Sequence, residues 1–438
     1  MAAALRRHSS LYTIERSLYT FVALERSHVK IDGRQPAVGA AKSAISAQRQ
    51  VSHASRGETQ RIASIDTLRG AVMVLMALDH VRDYVTNVRM RPEDLARGSA
   101  ALFATRWVTH FCAPAFSLLA GIGIGLSLDR GKPDGEMSRF LVVRGVWLIL
   151  LDLVVTAAGW QFGLHLIPAF ALVLWALGLS MIVMAALIHL PRAIVAAGSL
   201  LMIATHNLFD GVQPASWGAL APLWYVLHVP GFAIPGKLFI AYPLVPWVAV
   251  MALGYVLAGV YRWDGTRRRA FLIQMGIAAT VLFLIARGIN AYGDPGPWTE
   301  QRTTALTVAS FLNARKYPPS LDFLLMTLGP TLVALGMVQR ARSRVASWLS
   351  VYGRVPLFFY VVHIYMAHAL AVALAFAQSG TPRRILAVTD PASIPTWYGV
   401  SLPGVYVAWA LVVVAMYPLC RWFARLKQER RDWWLSYL

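Results

Sequence analysis

The residues best suited to chemistry lie in one apolar stretch, residues 61–87, which reads RIASIDTLRGAVMVLMALDHVRDYVTN. As an α-helix it would place Asp66, His80 and Asp83 on one stripe, with the imidazole about 21 Å beyond Asp66 at roughly 1.5 Å per residue. An ionisable side chain at that depth in a bilayer costs several kcal/mol and usually faces a cavity or a partner. His80 is therefore a candidate catalytic base, since a neutral imidazole suits proton abstraction near neutral pH. Asp83, one turn away, is the candidate residue that orients it, and Asp66 is a candidate supporting residue.

Two further charged residues of this stretch, Asp79 and Arg82, lie on the opposite side of the predicted helix at i, i+3. That spacing favours an ion pair. We expect them to pair with each other or with neighbouring helices rather than to carry chemistry.

The composition indicates a membrane protein. Of the 438 residues, 57% are hydrophobic and only 14% are charged, which is too apolar for an ordinary soluble protein. The formal net charge of +20 does not indicate a nucleic-acid partner, because Lys and Arg occur in short clusters between apolar runs and in the N-terminal segment. The lipid bilayer is the expected partner of these clusters.

Ten apolar runs predict an all-α fold, a polytopic membrane bundle of about ten transmembrane helices. Basic residues concentrate in alternate loops, so the positive-inside rule places both termini in the cytoplasm. Residues 1–60 differ in composition and are expected to be a basic, mostly disordered tail, with the membrane domain at 61–438. After the first stretch, the runs cover 104–128, 139–160, 165–190, 192–209, 238–262, 269–290, 320–340, 355–378 and 401–424.

The second run carries Arg106 and His110 near its predicted outer end. These two residues could be interfacial anchors, or they could belong to the site, with Arg106 supporting the substrate and His110 acting in catalysis. The rest of the same helical face is small, which would suit close packing against the first helix. The small positions are Ala113, Ser117, Gly121 and Gly125.

The ninth run presents Tyr360 and His363, candidate substrate-binding or supporting residues, on one face. His368 is turned about 140° away, so the two histidines cannot face one narrow cavity. No histidine spacing fits a helix-borne metal site and thiolate ligands are missing, so no metal is expected. The two cysteines, Cys112 and Cys420, are predicted near opposite membrane faces, without a disulfide.

Three arginines, Arg69, Arg144 and Arg354, lie at the predicted cytoplasmic ends of their helices. Each could be an ordinary positive-inside anchor. Together they could instead bind the phosphates of a cytoplasmic cofactor, because guanidinium groups match phosphate oxygens in a bidentate manner. Two long outer loops, residues 210–237 and 290–320, could cap an outward-facing cavity or anchor aromatic side chains at the interface.

Several segments resemble a known family. SIDTLRG followed by MALDH, with His80 fourteen positions after Asp66, is similar to the first helix of the transmembrane acyltransferases. The similarity is closest to bacterial proteins grouped with the heparan-α-glucosaminide N-acetyltransferase catalytic domain. It covers about residues 61–438, and the other segments that carry it are THFCAPAFSLLAGIGIGLS, KYPPSLDFLLMTLGP, GRVPLFFYVVH and RDWWLSYL.

The resemblance implies an enzyme of the bacterial cytoplasmic (inner) membrane. It would move an acyl group, such as acetyl, from cytoplasmic acyl-CoA to a sugar or envelope acceptor at the outer face. Acetyl-CoA would be a cosubstrate, and no permanently bound cofactor is expected. His80 matches the superfamily's functional histidine. In the heparan-modifying enzyme, however, that position resembles an Asn, and the catalytic His lies further along, near Arg91 of this chain.

Two function classes follow. In the first, His80 deprotonates the acceptor or relays the acyl group as an acyl-imidazole, while the arginines hold the CoA. In the second, the chain is a transporter or lipid-handling protein in which Asp152, His363 and Arg287 form a proton or substrate path. The first and last five helices show no internal repeat of the kind found in inverted-repeat transporters, which favours the enzyme.

Overall fold

The computed structural model describes residues 63–161, 167–340, 343–381, 392, 394–430, 432 and 435. The tail predicted at residues 1–60 lies outside this range. The described residues form thirteen helices and one small sheet. The helices are α1 (residues 63–85), α2 (Ala100–Asp129), α3 (Asp134–Trp160), α4 (Val173–Leu187), α5 (Arg192–Phe209), α6 (Ala221–Leu227), α7 (Trp247–Arg262), α8 (Gly265–Ile289), α9 (Thr304–Leu312), α10 (Leu321–Arg340), α11 (Arg344–Arg354), α12 (Pro356–Ser379) and α13 (Leu402–Glu429).

Each of the ten apolar runs contains a helix, which confirms the all-α polytopic fold. Seven of these helices are long and apolar enough to cross a membrane, and α4 and α7 are shorter apolar helices. The tenth, α1, has the required length but carries five charged side chains between Asp66 and Asp83. Helices α5, α8 and α13 expose large apolar side chains such as Leu201, Ile277 and Val414, as expected of surfaces that face lipid.

The sheet was not predicted. Its strands are β1 (Ala169–Ala171), β2 (Gly231–Ile234) and β3 (Leu238–Ile240), in the order β1-β3-β2, with β1 parallel and β2 antiparallel to β3. The strands β1 and β3 occupy the beginnings of the runs 165–190 and 238–262, so α4 and α7 begin later than predicted. Short apolar runs do not reveal by periodicity whether they are helix or strand.

The glycines of the small face of α2 pack against α7, whereas α2 contacts the predicted partner, α1, through Arg106 and Cys112. A Cβ added at Gly121 would meet the backbone carbonyl of Met251, and one added at Gly254 would meet that of Leu118, so the two backbones are in close contact. The Ser117 hydroxyl also donates to the Trp247 carbonyl oxygen at 3.0 Å. The sequence thus predicted the close approach correctly, but not that α7 is the helix that these glycines approach.

Helix α1 makes its closest backbone approach to α11. Gly70 faces the carbonyl of Leu349, and Gly353 faces the carbonyl of Asp66, with no room for a side chain at either glycine. This crossing joins the SIDTLRG segment to the GRVP segment.

Ion pairs connect three of the loops. Asp129, the last residue of α2, forms ion pairs with Arg192 and Arg262 at 2.7 and 4.0 Å. Three loops that the charge pattern predicts to share one side therefore meet.

Candidate active site

Two histidines from distant parts of the chain meet at the middle of the bundle. His80 Nδ1 on α1 lies 2.7 Å from His363 Nε2 on α12, and His363 Nδ1 lies 2.8 Å from the Phe359 carbonyl oxygen. A carbonyl oxygen only accepts, so His363 Nδ1 carries the proton and its Nε2 accepts from His80 Nδ1 when both rings are neutral. This arrangement leaves the lone pair on His80 Nε2.

Aromatic rings surround this pair. The ring of His80 meets Trp160 edge-on at 4.9 Å and Tyr360 at 6.1 Å between centroids. His363 is completely buried, whereas His80 is only half-buried. The imidazole that has an unengaged nitrogen is therefore also the one that another molecule can reach.

His368 lies in different surroundings, one turn further along α12. Its Nδ1 is 3.0 Å from the Gly159 carbonyl oxygen and its ring lies 4.7 Å from that of Tyr84. Tyr84 in turn stacks on Trp160 at 5.2 Å. His363 and His368 contact different neighbours, in agreement with their angular separation on the helix.

The remaining charges of α1 form an ion network with α2. Arg82 pairs with Asp79 at 2.8 Å, which confirms that prediction, and with Asp83 at 2.6 Å. Arg106 binds Asp79 as well, and its Nε donates to Glu93 Oε1 at 2.7 Å. Asp83 is thus the partner of Arg82, and the structure gives His80 a histidine partner instead of this carboxylate.

A second polar cluster lies next to the ion network and comprises His110, Tyr242, Lys316 and Tyr317. The Lys316 ammonium lies 5.2 Å from the ring centroid of Tyr317 and 5.9 Å from that of Tyr242. The two tyrosine hydroxyls are 3.2 Å apart. His110 is buried against Phe323, and neither of its ring nitrogens has a hydrogen-bond partner among the described residues.

The electrostatics of the outer segments reflect these positive charges. Burial alone would raise the pKa of Tyr317, but the neighbouring Lys316 and Arg106 charges lower it below its ordinary value. Burial and the adjacent Tyr317 raise the pKa of Tyr242. Burial would likewise raise the pKa of Glu93, but the guanidinium of Arg106 and its hydrogen bond lower it.

Lys316 and Tyr317 are site residues that the sequence reasoning missed. Both belong to the loop 290–320, which lies over the start of α2: Arg302 donates to the carbonyls of Ala96 and Gly98 at 3.1 and 2.9 Å. The loop therefore covers the site and contributes a lysine to it. A signal was present, because basic residues are uncommon in the outer loops of membrane proteins.

Two arginines of the predicted phosphate-binding group lie near Asp66, at the beginning of α1. Arg69 pairs with Asp66 at 3.0 Å and donates to the Gly353 carbonyl oxygen at 3.2 Å, and the charge of the exposed Arg354 acts on Asp66. The guanidinium of Arg144, the third member, lies 5.8 Å from the ring centroid of Phe140, and its part in a phosphate site stays a prediction.

Two residues of the alternative proton path have structural partners. Asp152 lies in a π-helical turn of α3 (Leu151–Thr156), and one of its carboxylate oxygens accepts from Leu172 N at 2.7 Å and Trp175 N at 3.0 Å, at the start of α4. Arg287 donates to four backbone carbonyls of residues 296–313. Of the three residues proposed for that path, only His363 belongs to the site.

Within the described ranges, no group of three or more His, Cys, Asp or Glu side chains is arranged to hold a metal ion. Both cysteines are buried free thiols. The side chains that could hold a cosubstrate are therefore the basic groups at the inner end of α1 and the polar groups around His80.

A bundle whose long apolar helices can cross a membrane belongs to the class of integral membrane proteins. This bundle also contains a site built from imidazole side chains. A family model described as "Heparan-alpha-glucosaminide N-acetyltransferase, catalytic" matches residues 61–289, which is more than half of the chain. The chain belongs to this family, a membrane acetyltransferase family. The matched range includes His80 and His110 and ends before Lys316 and His363. Comparison with curated proteins gave no match.

Proposed function

We propose that the protein is a membrane acyltransferase that moves an acetyl group from cytoplasmic acetyl-CoA to a sugar or another envelope acceptor at the outer face. The proposed setting is the bacterial inner membrane, with residues 61–438 as the catalytic domain. The observation that carries the proposal is the His80–His363 hydrogen bond, which fixes a neutral tautomer and leaves His80 Nε2 as a base. Family membership supports the reaction class.

The chemistry required of the protein is modest because a thioester is already activated. His80 Nε2 takes the proton from the acceptor hydroxyl or amine while the acceptor oxygen or nitrogen attacks the thioester carbonyl carbon. The new C–O or C–N bond forms, the C–S bond breaks, and the CoA thiolate leaves and takes the proton from the His80 imidazolium, which restores the neutral base. His363 acts as a positioning residue, since it holds the imidazole in the required tautomer and orientation.

In this proposal, one end of α1 binds the phosphates of acetyl-CoA and the other end, with His80, lies beside the acetyl group. Arg69 lies eleven residues before His80, about 16 Å at roughly 1.5 Å per residue. In this proposal Arg69 and Arg354 bind CoA phosphates near the inner end, so that the acyl group extends along α1 towards the imidazole. The Asp66–Arg69 ion pair would hold the guanidinium in place.

Substitution of His80 tests the proposal. In membranes that carry the full chain, we expect His80→Ala to lower transfer of radiolabelled acetyl from acetyl-CoA to envelope material by about 10²–10⁴-fold, the usual contribution of a positioned base. The matched control is His189→Ala, because His189 is exposed in the loop after α4 and contacts only Ser138 among the described residues.

Thermal stabilisation of the purified protein by acetyl-CoA is the second measurement, since a ligand that binds only the folded state raises its stability. We expect a shift in the wild type and in His80→Ala, with a smaller shift in Arg69→Met. Full transfer activity in His80→Ala would exclude the base role. Absence of any shift at millimolar acetyl-CoA, together with absence of transfer, would favour the transporter alternative.

A further inference from the structure

Lys316 carries a positive charge on a largely buried side chain. The side chain is 9% exposed, and its ammonium forms no ion pair or hydrogen bond with any part of the chain that the structure describes. Its described neighbours are the rings of Tyr242 and Tyr317, which attract a cation but accept no hydrogen bond of ordinary strength from it. The three N–H groups of the ammonium can therefore serve a ligand.

The nearby carboxylates are already engaged. Asp79 pairs with Arg82 and Arg106, and Glu93 accepts from Arg106. With Asp83, this network holds three carboxylates against two guanidinium groups, and its residual negative charge attracts the ammonium without occupying its N–H groups. Lys316 therefore has three uncommitted donors.

His110 is a second buried group with unused hydrogen-bonding capacity. It is 1% exposed, and its Nδ1 and Nε2 both lack partners within the described residues. The His110 ring lies 5.4 Å from that of Phe323, in the first turn of α10, and the Phe323 N–H donates to the Ser320 hydroxyl, four residues after Lys316, so both side chains lie at the same end of the loop 290–320. Tyr317, which is 37% exposed, lies at the outer edge of this cluster and leaves it within reach of a ligand.

We propose that Lys316 and His110 form a binding site for an anionic group, a carboxylate or a phosphate, carried by the acceptor. The ammonium and an imidazole N–H would donate charge-assisted hydrogen bonds to its oxygens, and the covering loop 290–320 would close over it. This inference rests on the proposed function in assigning the anion to the acceptor. The site itself is defined by the unpartnered donors, and its occupancy can be measured without any acyl transfer.

Equilibrium binding to the purified full chain in nanodiscs, at constant ionic strength and without acetyl-CoA, tests the site. The probes are glucuronate for a sugar carboxylate, methyl phosphate for a phosphate group, and methyl glucoside as the uncharged control. We expect at least one anion to bind the wild type, with Kd raised about tenfold or more in Lys316→Met, the usual effect of losing a hydrogen bond to a charged group. The anion with the lower Kd identifies the group that the site binds as a carboxylate or a phosphate.

Three variants complete the test. His110→Phe should weaken anion binding as Lys316→Met does, whereas Lys237→Met, at an exposed lysine of another outer loop, should bind like the wild type. Lys316→Met should melt close to the wild type, because no ion pair or hydrogen bond is lost. Equal anion affinity in Lys316→Met, binding of methyl glucoside as tight as that of the anions, or binding of neither anion would overturn the proposal. None of these results depends on whether His80→Ala abolishes transfer.

Discussion

Two buried cations lie at opposite ends of one outer loop, and they differ completely in their partners. Arg287 donates to the carbonyls of Gly296, Ser310, Phe311 and Asn313. It also lies 3.6 Å from Asp294 and 3.7 Å from Asp322. Arg287 belongs to the end of α8, just before the loop 290–320, whereas Lys316 lies inside this loop and has neither a carbonyl nor a carboxylate partner among the described residues.

The difference in partners indicates which cation stabilises the fold and which one is available to a ligand. A fully partnered cation fixes the fold of the loop, because every N–H group that left water has an acceptor in the protein. A cation without such partners contributes little to the fold of the loop and keeps its N–H groups available to a ligand. By this reasoning Arg287 builds the loop, and Lys316 is what the loop presents to a ligand.

The largest expected effect is on stability, in Arg287→Met. This substitution leaves Asp294 and Asp322 buried without their cation, and we expect a loss of about 3–5 kcal/mol in the free energy of unfolding. Lys316→Met, which loses no ion pair or hydrogen bond, should change the free energy of unfolding by less than about 1 kcal/mol. The control is Arg315→Met, at an exposed neighbour of Lys316, with a change within about 0.5 kcal/mol. Thermal melts of the purified variants rank their stabilities. Equal losses of stability in Arg287→Met and Lys316→Met would show that the two cations do not differ in their contribution to the fold.

The helices were predictable because a bilayer sets a minimum length for an apolar run. The same signal could not show the sheet, since β1 and β3 are three-residue strands inside longer apolar segments. Nor could it show which helices touch. The glycines of α2 indicate that some backbone comes close, yet nothing in the sequence of α2 distinguishes α7 from α1 as its neighbour.

The candidate residues were predictable helix by helix, but their pairing was not. His80 and His363 are conspicuous because a histidine deep in an apolar helix is costly. Their contact was not predictable, because they lie 283 positions apart in the sequence and helical periodicity does not relate the faces of separate helices. Lys316 lies in a loop without periodicity, where only its sign, positive on the predicted outer side, marks it as unusual.

Two buried histidines, His206 and His110, also differ in their hydrogen-bond partners, and the expected difference in stability is smaller. His206 Nδ1 lies 2.9 Å from the Ile203 carbonyl oxygen and its Nε2 lies 2.8 Å from the Pro319 carbonyl oxygen, and a neutral ring donates its one N–H to one of the two. We expect His206→Phe to cost about 1–3 kcal/mol in the free energy of unfolding, because a buried carbonyl loses its donor. His110→Phe should leave stability within about 1 kcal/mol of the wild type, since no hydrogen bond is lost.

Melting curves and transfer assays on the two histidine variants separate the roles. His206→Phe should lower the melting temperature and keep its activity per folded molecule, whereas His110→Phe should do the reverse. A strongly destabilised His110→Phe would show that the ring packing of His110, rather than its unused nitrogens, explains its presence.

The smallest expected effect on stability concerns Arg106. This cation has carboxylate partners, as Arg287 does, but it lies near Lys316. Burial raises and the Arg106 charge lowers the pKa of Glu93, and the net pKa is below the ordinary 4.5. A carboxyl whose pKa is lower in the folded state stabilises the protein above its unfolded pKa, and this contribution is lost as the pH falls. Since the side chain is 32% exposed, we expect less than about 1 kcal/mol.

Glu93→Gln should therefore lower the melting temperature slightly at pH 7 and flatten its decline between about pH 5 and 3. Glu300→Gln, at an exposed position in the loop 290–320, is the control and should retain the wild-type pH dependence. If Glu93→Gln keeps that dependence too, then the Glu93–Arg106 contact contributes nothing to folding, and among the described carboxylates Arg106 is stabilised by Asp79 alone.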